Sequence, residues 1–474
     1  MSYFTIFSTM RSEVSLLTII LFLLVYDLIA GKKGESYFQP VAILLFTLHT
    51  IFNLFPAEAG EAFGGMVQYH PVMTIIKTIL NVGTLIIFLQ SKYIFDGNRM
   101  KHQRGEYYFL TLSTLLGMYL MISSGHFLLF FIGLEMASIP LGTLVAFNKK
   151  SKMSAEAGAK FILLSAFSSG ILLFGISYLY GVTGSLYFSD VSVLLSNNPL
   201  QIMAFLFFLS GLFFKVSFVP FHLWTADVYE GAPTNVTSYL SVVSKSSAAF
   251  VLMILLFKLF GNYLYEWQTL LFWIIIVTIT VGNLFALRQQ NVKRFLAFSS
   301  ISQAGYIALG IISGSTLGMT TVIYYIFVYL FSNLAAFGVI TAIESRTRKI
   351  NISDYKGLYH TNPKLSFVMM LAMFSLAGIA PFAGFMSKFF IFSAAAQQGY
   401  YLLVIIAVVN TIVSLYYYLM VVKAMFIDQN DHPVPALRTD AWNRASLVIC
   451  TAAIIFVGLL GFLLDVIEKQ SFGM

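Results

Sequence analysis

The chain has 474 residues, of which 58% are hydrophobic and only 10% charged. Soluble domains carry roughly 25% charged residues, so most of this chain cannot face water. The net charge of +8 is scattered over many short segments rather than gathered with aromatics on one surface, which excludes a nucleic-acid role.

A spanning helix needs about 20 mainly apolar residues. Such runs predict an all-α integral membrane fold of about fourteen transmembrane helices, a single polytopic domain over 1–474. The first, 14–30, is long enough to span and is followed by more spans, so it reads as a retained helix rather than a cleaved signal. Runs follow at 38–56, 72–91, 107–124, 126–147, 158–180 and 200–222. The last ends in Pro220 and merges into a polar stretch, which predicts a break there. Then come 234–260, 267–287, 296–313 and 317–344. The run 364–398 is too long for one straight span and contains Gly378, Pro381 and Gly384, so a broken helix is expected; 400–426 and 445–467 complete the set.

Basic residues orient these spans. Odd-numbered loops hold Lys32 and Lys33; Lys92, Arg99, Lys101 and Arg104; Lys149, Lys150 and Lys152; Arg288, Lys293 and Arg294; Arg346, Arg348, Lys349, Lys356 and Lys364; and Lys423, Arg438 and Arg444. Even-numbered loops carry essentially none, with Lys258 at a helix end the nearest exception. Lys/Arg excess marks the cytoplasmic side, so both termini are expected outside, with odd loops in the cytoplasm. Only the seventh loop, Leu223 to Pro233, breaks the rule, with Asp227 and Glu230 but no cation. A faint internal repeat pairs FVPFH, Phe218 to His222, with IAPFA, Ile379 to Ala383. Units of about five helices, 107–260 and 267–426, flanked by helices 1–3 and 14, would be inverted relative to each other.

An ion at the bilayer centre costs about 2.5–3.5 kcal/mol on insertion scales, yet Lys77, Lys160, Lys215, Lys245, Lys388 and Glu135 all fall within predicted spans. Glu135 stands nine residues into its helix, about 14 Å deep at 1.5 Å per residue, beyond reach of a headgroup. It serves either as a structural ion pair or as the charge that sets a neighbouring lysine's hold on protons. Lys245 stands among Ser241, Ser244, Ser246 and Ser247, a setting that resembles a wet cavity more than a lipid face; the plainer alternative is an amine satisfied by backbone carbonyls. Lys215 precedes Pro220 and Lys388 follows Pro381, so each can meet the carbonyls of a broken helix or simply anchor it. His222 beside the first break can relay protons or be an ordinary interior histidine. Lys77 and Lys160 lie within two turns of a helix start, where snorkelling explains them. Burial disfavours a charged amine and a nearby carboxylate favours it again, so a row of lysines joined by water is a proton wire. It is a poor path for a sugar or an amino acid.

The single cysteine, Cys450, excludes an internal disulfide, a cysteine-based zinc site and an iron–sulfur cluster. No glycine-rich phosphate loop and no metal-spaced His/carboxylate set is present. Redox chemistry is therefore not expected in this chain.

At the intramembrane charges the sequence resembles the subunit N family of respiratory NADH–quinone oxidoreductases (complex I). The most specific stretch is FKVSFVPFHLWTADVYEGAPTNVTSYLSVVSKSSAAF, Phe214 to Phe250; further matches are GLEMASIP around Glu135, Phe161 to Ser185, NVKRFLAFSSISQAGY from Asn291 to Tyr306, and GIAPFAGFMSKFF from Gly378 to Phe390. The resemblance covers nearly the whole chain. It implies two inverted five-helix repeats with discontinuous seventh and twelfth helices. It also implies a proton path in which Glu135 pairs with Lys215, Lys245 is the central relay and Lys388 stands near the outward exit, with His222 and Lys160 in secondary places. NADH, FMN, iron–sulfur clusters and quinone are implied in partner subunits and no cofactor in this chain. The implied partners are other membrane-arm subunits, including a homologous antiporter-like one, within a bacterial inner membrane. Three positions depart from the family pattern. Ala226 and Asn235 replace usual prolines, which predicts a looser cytoplasmic turn, and Gln303 stands where many members carry histidine. A subunit of a multi-subunit cation/proton antiporter is the competing reading, and a non-transporting scaffold a third; the string WTADVYEGAPT favours the first.

Overall fold

The computed structural model describes residues 7–95, 103–196, 198–431, 433–459 and 462–469. The expected cytoplasmic cations Arg99 and Lys101 lie outside the described residues, as do the side chains of Lys32 and Lys33. Helices α1 (Arg11–Ile29) and α2 (Tyr37–Phe52) join through Gly31, whose φ of +49° only glycine adopts without strain. A hairpin, β1 (Gly60–Ala62) against β2 (Val67–Tyr69) with Gly60 opposite Tyr69, occupies what the sequence leaves as a bare loop. Then come α3 (Pro71–Gln90), α4 (Arg104–Ile122), α5 (Phe127–Val145) and α6 (Lys152–Thr183).

The chain continues through α7 (Pro199–Val216), α8 (Leu223–Gly231), α9 (Thr234–Lys258), α10 (Gly261–Ala286), α11 (Val292–Ile311) and α12 (Thr316–Thr347). It ends with α13 (Pro363–Ala377), α14 (Ala383–Gln397), α15 (Tyr401–Phe426) and α16 (Ala441–Leu459). Among the described residues ten helices are long and apolar enough to cross a membrane, so the chain is a multi-pass, all-helical membrane protein.

Two of these helices form the centre. In their most apolar windows α12 is 94% and α9 is 89% buried, as expected of helices that are hydrophobic all round and packed by others. By contrast, α6, α10 and α15 turn large apolar residues outward, among them Phe167, Trp273 and Ile412. Lys245 on α9 is therefore enclosed by other helices.

Two helices are interrupted. α7 stops at Ser217, which is left-handed (φ +69°), and α13 stops at Gly378 (φ +84°). The closing hydrogen bonds match residue for residue. Ser217 N donates to Phe214 O and Phe218 N to Phe213 O; Gly378 N donates to Ser375 O and Ile379 N to Phe374 O. This is the six-to-one closure that ends many helices. Three residues past each stop stands a proline, Pro220 or Pro381, which has no N–H to continue a helix.

Close approach also shapes the fold where α4 crosses α5. A Cβ added at Gly117 would run into the backbone of Gly133 and Ala137, and one at Gly133 into Gly117 O and Met121 N. Small residues let membrane helices meet backbone to backbone. Gly117→Leu is expected to force this pair apart at a cost of about 1–3 kcal/mol or more, lowering the thermal midpoint of the detergent-purified complex. Gly170→Leu on α6, where nothing lies within 4 Å, is expected to leave that midpoint unchanged.

Candidate functional site

Lys215 stands one residue before the last residue of α7. Its Nζ donates to Ser138 Oγ and, at 2.8 Å, to Ser165 Oγ. The ion pair expected between Lys215 and Glu135 is not formed. Ser138 lies three residues after Glu135, on the same face of α5, and the hydroxyl rather than the acid takes the amine. Glu135 itself is half-buried, near enough to attract Lys215 but not bonded to it. A small cavity of about 20 Å³, lined by Lys215, Ser138, Trp224, Ser244 and Ser247, opens from this amine toward α9. That is room for about one water between polar groups.

Lys245, on α9, is 2% exposed. None of its four neighbouring serines holds it. Its Nζ donates to Ser300 Oγ at 2.8 Å and, more weakly, to Ser300 O at 3.3 Å, both on α11. The ring of Tyr229 lies 5.7 Å away. Ser244 and Ser247 instead face the cavity shared with Lys215, so α9 meets one lysine through its serines and presents another itself.

One turn beyond Ser300, Gln303 joins the third lysine. Gln303 Nε2 donates to Leu376 O at 3.3 Å and to Tyr418 Oη at 3.2 Å, while Tyr325 donates to its Oε1. Lys388 Nζ donates to that same Leu376 O and to Ala377 O, both at 3.0 Å. The amine thus closes the carbonyl end of α13, where the helix dipole is negative. Gln303 and Lys388 also share a cavity of about 10 Å³ with Ser332, Ser375 and Ser387. Hydroxyls, a glutamine and carbonyls thus surround the three amines, with small cavities beside Lys215 and Lys388.

His222 stands immediately before α8, beside the first break, and its side chain makes no capping bond. Its Nδ1 is buried without a hydrogen-bond partner, and the ring lies within electrostatic reach of Lys245. Lys160 does not belong to this buried set. It is 41% exposed and paired with Glu156 at 2.7 Å and Asp227 at 2.8 Å. Arg294 bridges Asp227 and Glu230, both at 2.8 Å. Asp227 is thus held by two cations, Lys160 and Arg294. This network explains why the seventh loop breaks the basic-loop rule: its acids are neutralised by cations from α6 and α11. The turn after the break is also not loose. Ala226 and Asn235 are buried, and Asn235 Oδ1 accepts from Thr341 on α12.

One site is missed from sequence. Lys77 does not snorkel; it is 1% exposed and pairs with Glu13 of α1 at 2.6 Å, with Ser123 Oγ bonded to both at 2.8 Å. The ring of Tyr119 lies 5.2 Å from the amine, and Tyr119 Oη links to Asn81 and His49. Glu13 stands at the very start of the first run, 64 residues from Lys77, and no local pattern connects them.

With the geometry in place, comparison with known proteins decides the family. The family described as NADH:quinone oxidoreductase/Mrp antiporter, transmembrane, matches residues 124–414. The chain is 54% identical over 452 residues to NADH-quinone oxidoreductase subunit N of Phocaeicola vulgatus, covering 95% of this chain and 96% of that one. It belongs to the subunit N family. A similar protein of Azobacteroides pseudotrichonymphae is 52% identical and covers 99% of each chain. Among solved structures, a chain of respiratory complex I from Thermus thermophilus is similar at 29% identity, TM-score 0.79, covering 96% of this chain and 98% of that one. A chain of the Mrp complex from Dietzia shares the fold, with TM-score 0.85 at 21% identity over 99% and 97% of the two chains. The chain is thus an antiporter-like membrane subunit of an NADH-quinone oxidoreductase, and the antiporter-complex reading gives way.

Removing one partner of a buried ion pair strands the other and costs about 3–5 kcal/mol, whereas replacing both with apolar groups costs far less. Lys77→Met is therefore expected to reduce accumulation of the assembled complex and lower its thermal midpoint. The double variant Lys77→Met with Glu13→Leu should recover most of that loss, read by native gels and thermal unfolding in detergent.

Proposed function

We propose that this subunit moves protons from the cytoplasm to the outside through Glu135, Lys215, Lys245 and Lys388, driven by quinone reduction in partner subunits. The observation that carries this reading is that Lys215, Lys245 and Lys388 are each held by neutral hydroxyls or carbonyls, with no acid of the described residues within ion-pair distance. Lys77, by contrast, is locked to Glu13. An amine with only neutral acceptors can release its proton without stranding a counter-ion. Glu135, one turn from the hydroxyl that holds Lys215, is placed to draw that amine when its own surroundings change. At an effective dielectric near 20 such a move is worth a few kcal/mol, comparable with the ~2.3 kcal/mol per charge that 100 mV of membrane potential supplies.

The proposal extends to topology. Counting α7 with α8, and α13 with α14, as single broken spans gives fourteen crossings, with both termini outside and the membrane a bacterial inner membrane. The matched closures at Ser217 and Gly378 support two inverted five-helix repeats. His222 is a secondary relay beside the first break. Lys160 acts, in this reading, with Asp227, Glu230 and Arg294 at the cytoplasmic entrance rather than within the row. The chain carries no redox centre; NADH, FMN, iron–sulfur clusters and quinone belong to partner subunits of the same translocase.

Lys215→Ala is expected to leave the complex assembled while severely reducing protons ejected, measured with a pH dye in proteoliposomes during NADH-driven quinone reduction. Proton ejection at the wild-type ratio in that variant would make the chain a scaffold.

A further inference from the structure

A further cavity lies away from the lysine row. It is a cleft of about 970 Å³ between α13, the segment before α16, and α16 itself. Three cations, Lys364, Arg438 and Arg444, stand on its rim and all are exposed. Among the described residues none has an acidic partner, and Arg444 donates to Thr439 O at 3.2 Å. Asp440, the acid beside them in sequence, caps α16 with its Oδ2 through Trp442 N and Asn443 N, while its Oδ1 is buried without a hydrogen-bond partner.

Below the rim the lining changes character. Arg444, Val448, Thr451 and Ile455 line the cleft at spacings of four, three and four, one face of a helix. Thr451 turns its hydroxyl back to Leu447 O at 2.7 Å, so this stripe offers no polar group below Arg444. Across the cleft, Phe367 of α13 is 48% exposed and Val448 of α16 62%. From Arg444 to Ile455 is eleven residues, about 16 Å along the helix, close to half of a hydrocarbon core about 30 Å thick. Cations at one end and an apolar trough one leaflet deep match a phospholipid's two parts.

The geometry points to a binding site for an anionic phospholipid of the cytoplasmic leaflet, its phosphate among Lys364, Arg438 and Arg444 and its acyl chains along α13 and α16. Basic pockets between helices on the cytoplasmic side suit such headgroups. The leaflet follows from the proposed orientation, but binding itself does not depend on the proton path. The site stands beside the first half of the second broken helix, so lipid there buttresses α13, whose far end Lys388 closes.

The test uses the intact complex, washed in detergent and placed in nanodiscs of phosphatidylcholine doped with phosphatidylglycerol or cardiolipin, with retained lipid counted by native mass spectrometry. The expected result is that the wild-type complex keeps anionic lipid in several-fold preference. The triple variant Lys364→Gln, Arg438→Gln, Arg444→Gln should lose that preference, and Val448→Trp should reduce retention without changing charge. Lipid composition unchanged in both variants would overturn the proposal. So would a photo-crosslinker at position 448 that labels a neighbouring subunit instead of lipid, or inorganic phosphate displacing nothing while dodecyl chains alone are retained as well as phosphatidylglycerol.

Discussion

A polar backbone group left unpaired in hydrocarbon costs several kcal/mol, and the two interrupted helices create many of them. Most of what is distinctive in this fold answers that cost. At the first break Phe214 O accepts from Ser217 N and from the indole of Trp224 at 3.0 Å, and Val219 N finds Thr278 Oγ1 across on α10. At the second, Lys388 reaches back to Leu376 O and Ala377 O. Breaks that must be furnished with polar partners are also where a membrane protein can hold a proton.

The same constraint separates two kinds of buried lysine. Lys77 is paired with Glu13 through one carboxylate oxygen, with Ser123 bonded to both, and so fastens α1 to α3 and α4. Lys215, Lys245 and Lys388 rest on neutral acceptors and stand on α7, α9 and α14. Gln303, one turn along α11 from the serine that holds Lys245, shares the Leu376 carbonyl with Lys388, and its amide cannot titrate. Lys160, Asp227, Glu230 and Arg294 form a separate, half-buried network with charges of both signs.

Much of this is legible in the sequence because the signals are local. Pro220 and Pro381 mark the breaks, apolar runs mark the helices, and a charge deep within a run marks itself. What is not legible is which distant group answers each charge. Serines 241, 244, 246 and 247 suggest a pocket for Lys245, but successive residues on a helix point in different directions, and its partner is Ser300, 55 residues away. Glu135 and Lys215 share a region, yet Ser138 and Ser165 come between them. Glu13, beside the chain start, reads as a terminal charge until α1 lies against α3. Lys160 looks like a membrane lysine from its position in a long helix, although α6 extends beyond the apolar layer to meet Asp227.

The central claim is that the unpaired amines change protonation during turnover whereas the paired one does not. Redox-triggered infrared difference spectroscopy of the assembled complex, with lysine labelled by nitrogen-15 at Nζ, reads this directly. The account predicts isotope-sensitive ammonium bands that appear or vanish on quinone reduction and that are diminished in Lys245→Met. Ammonium bands that stay constant through the redox cycle would contradict it.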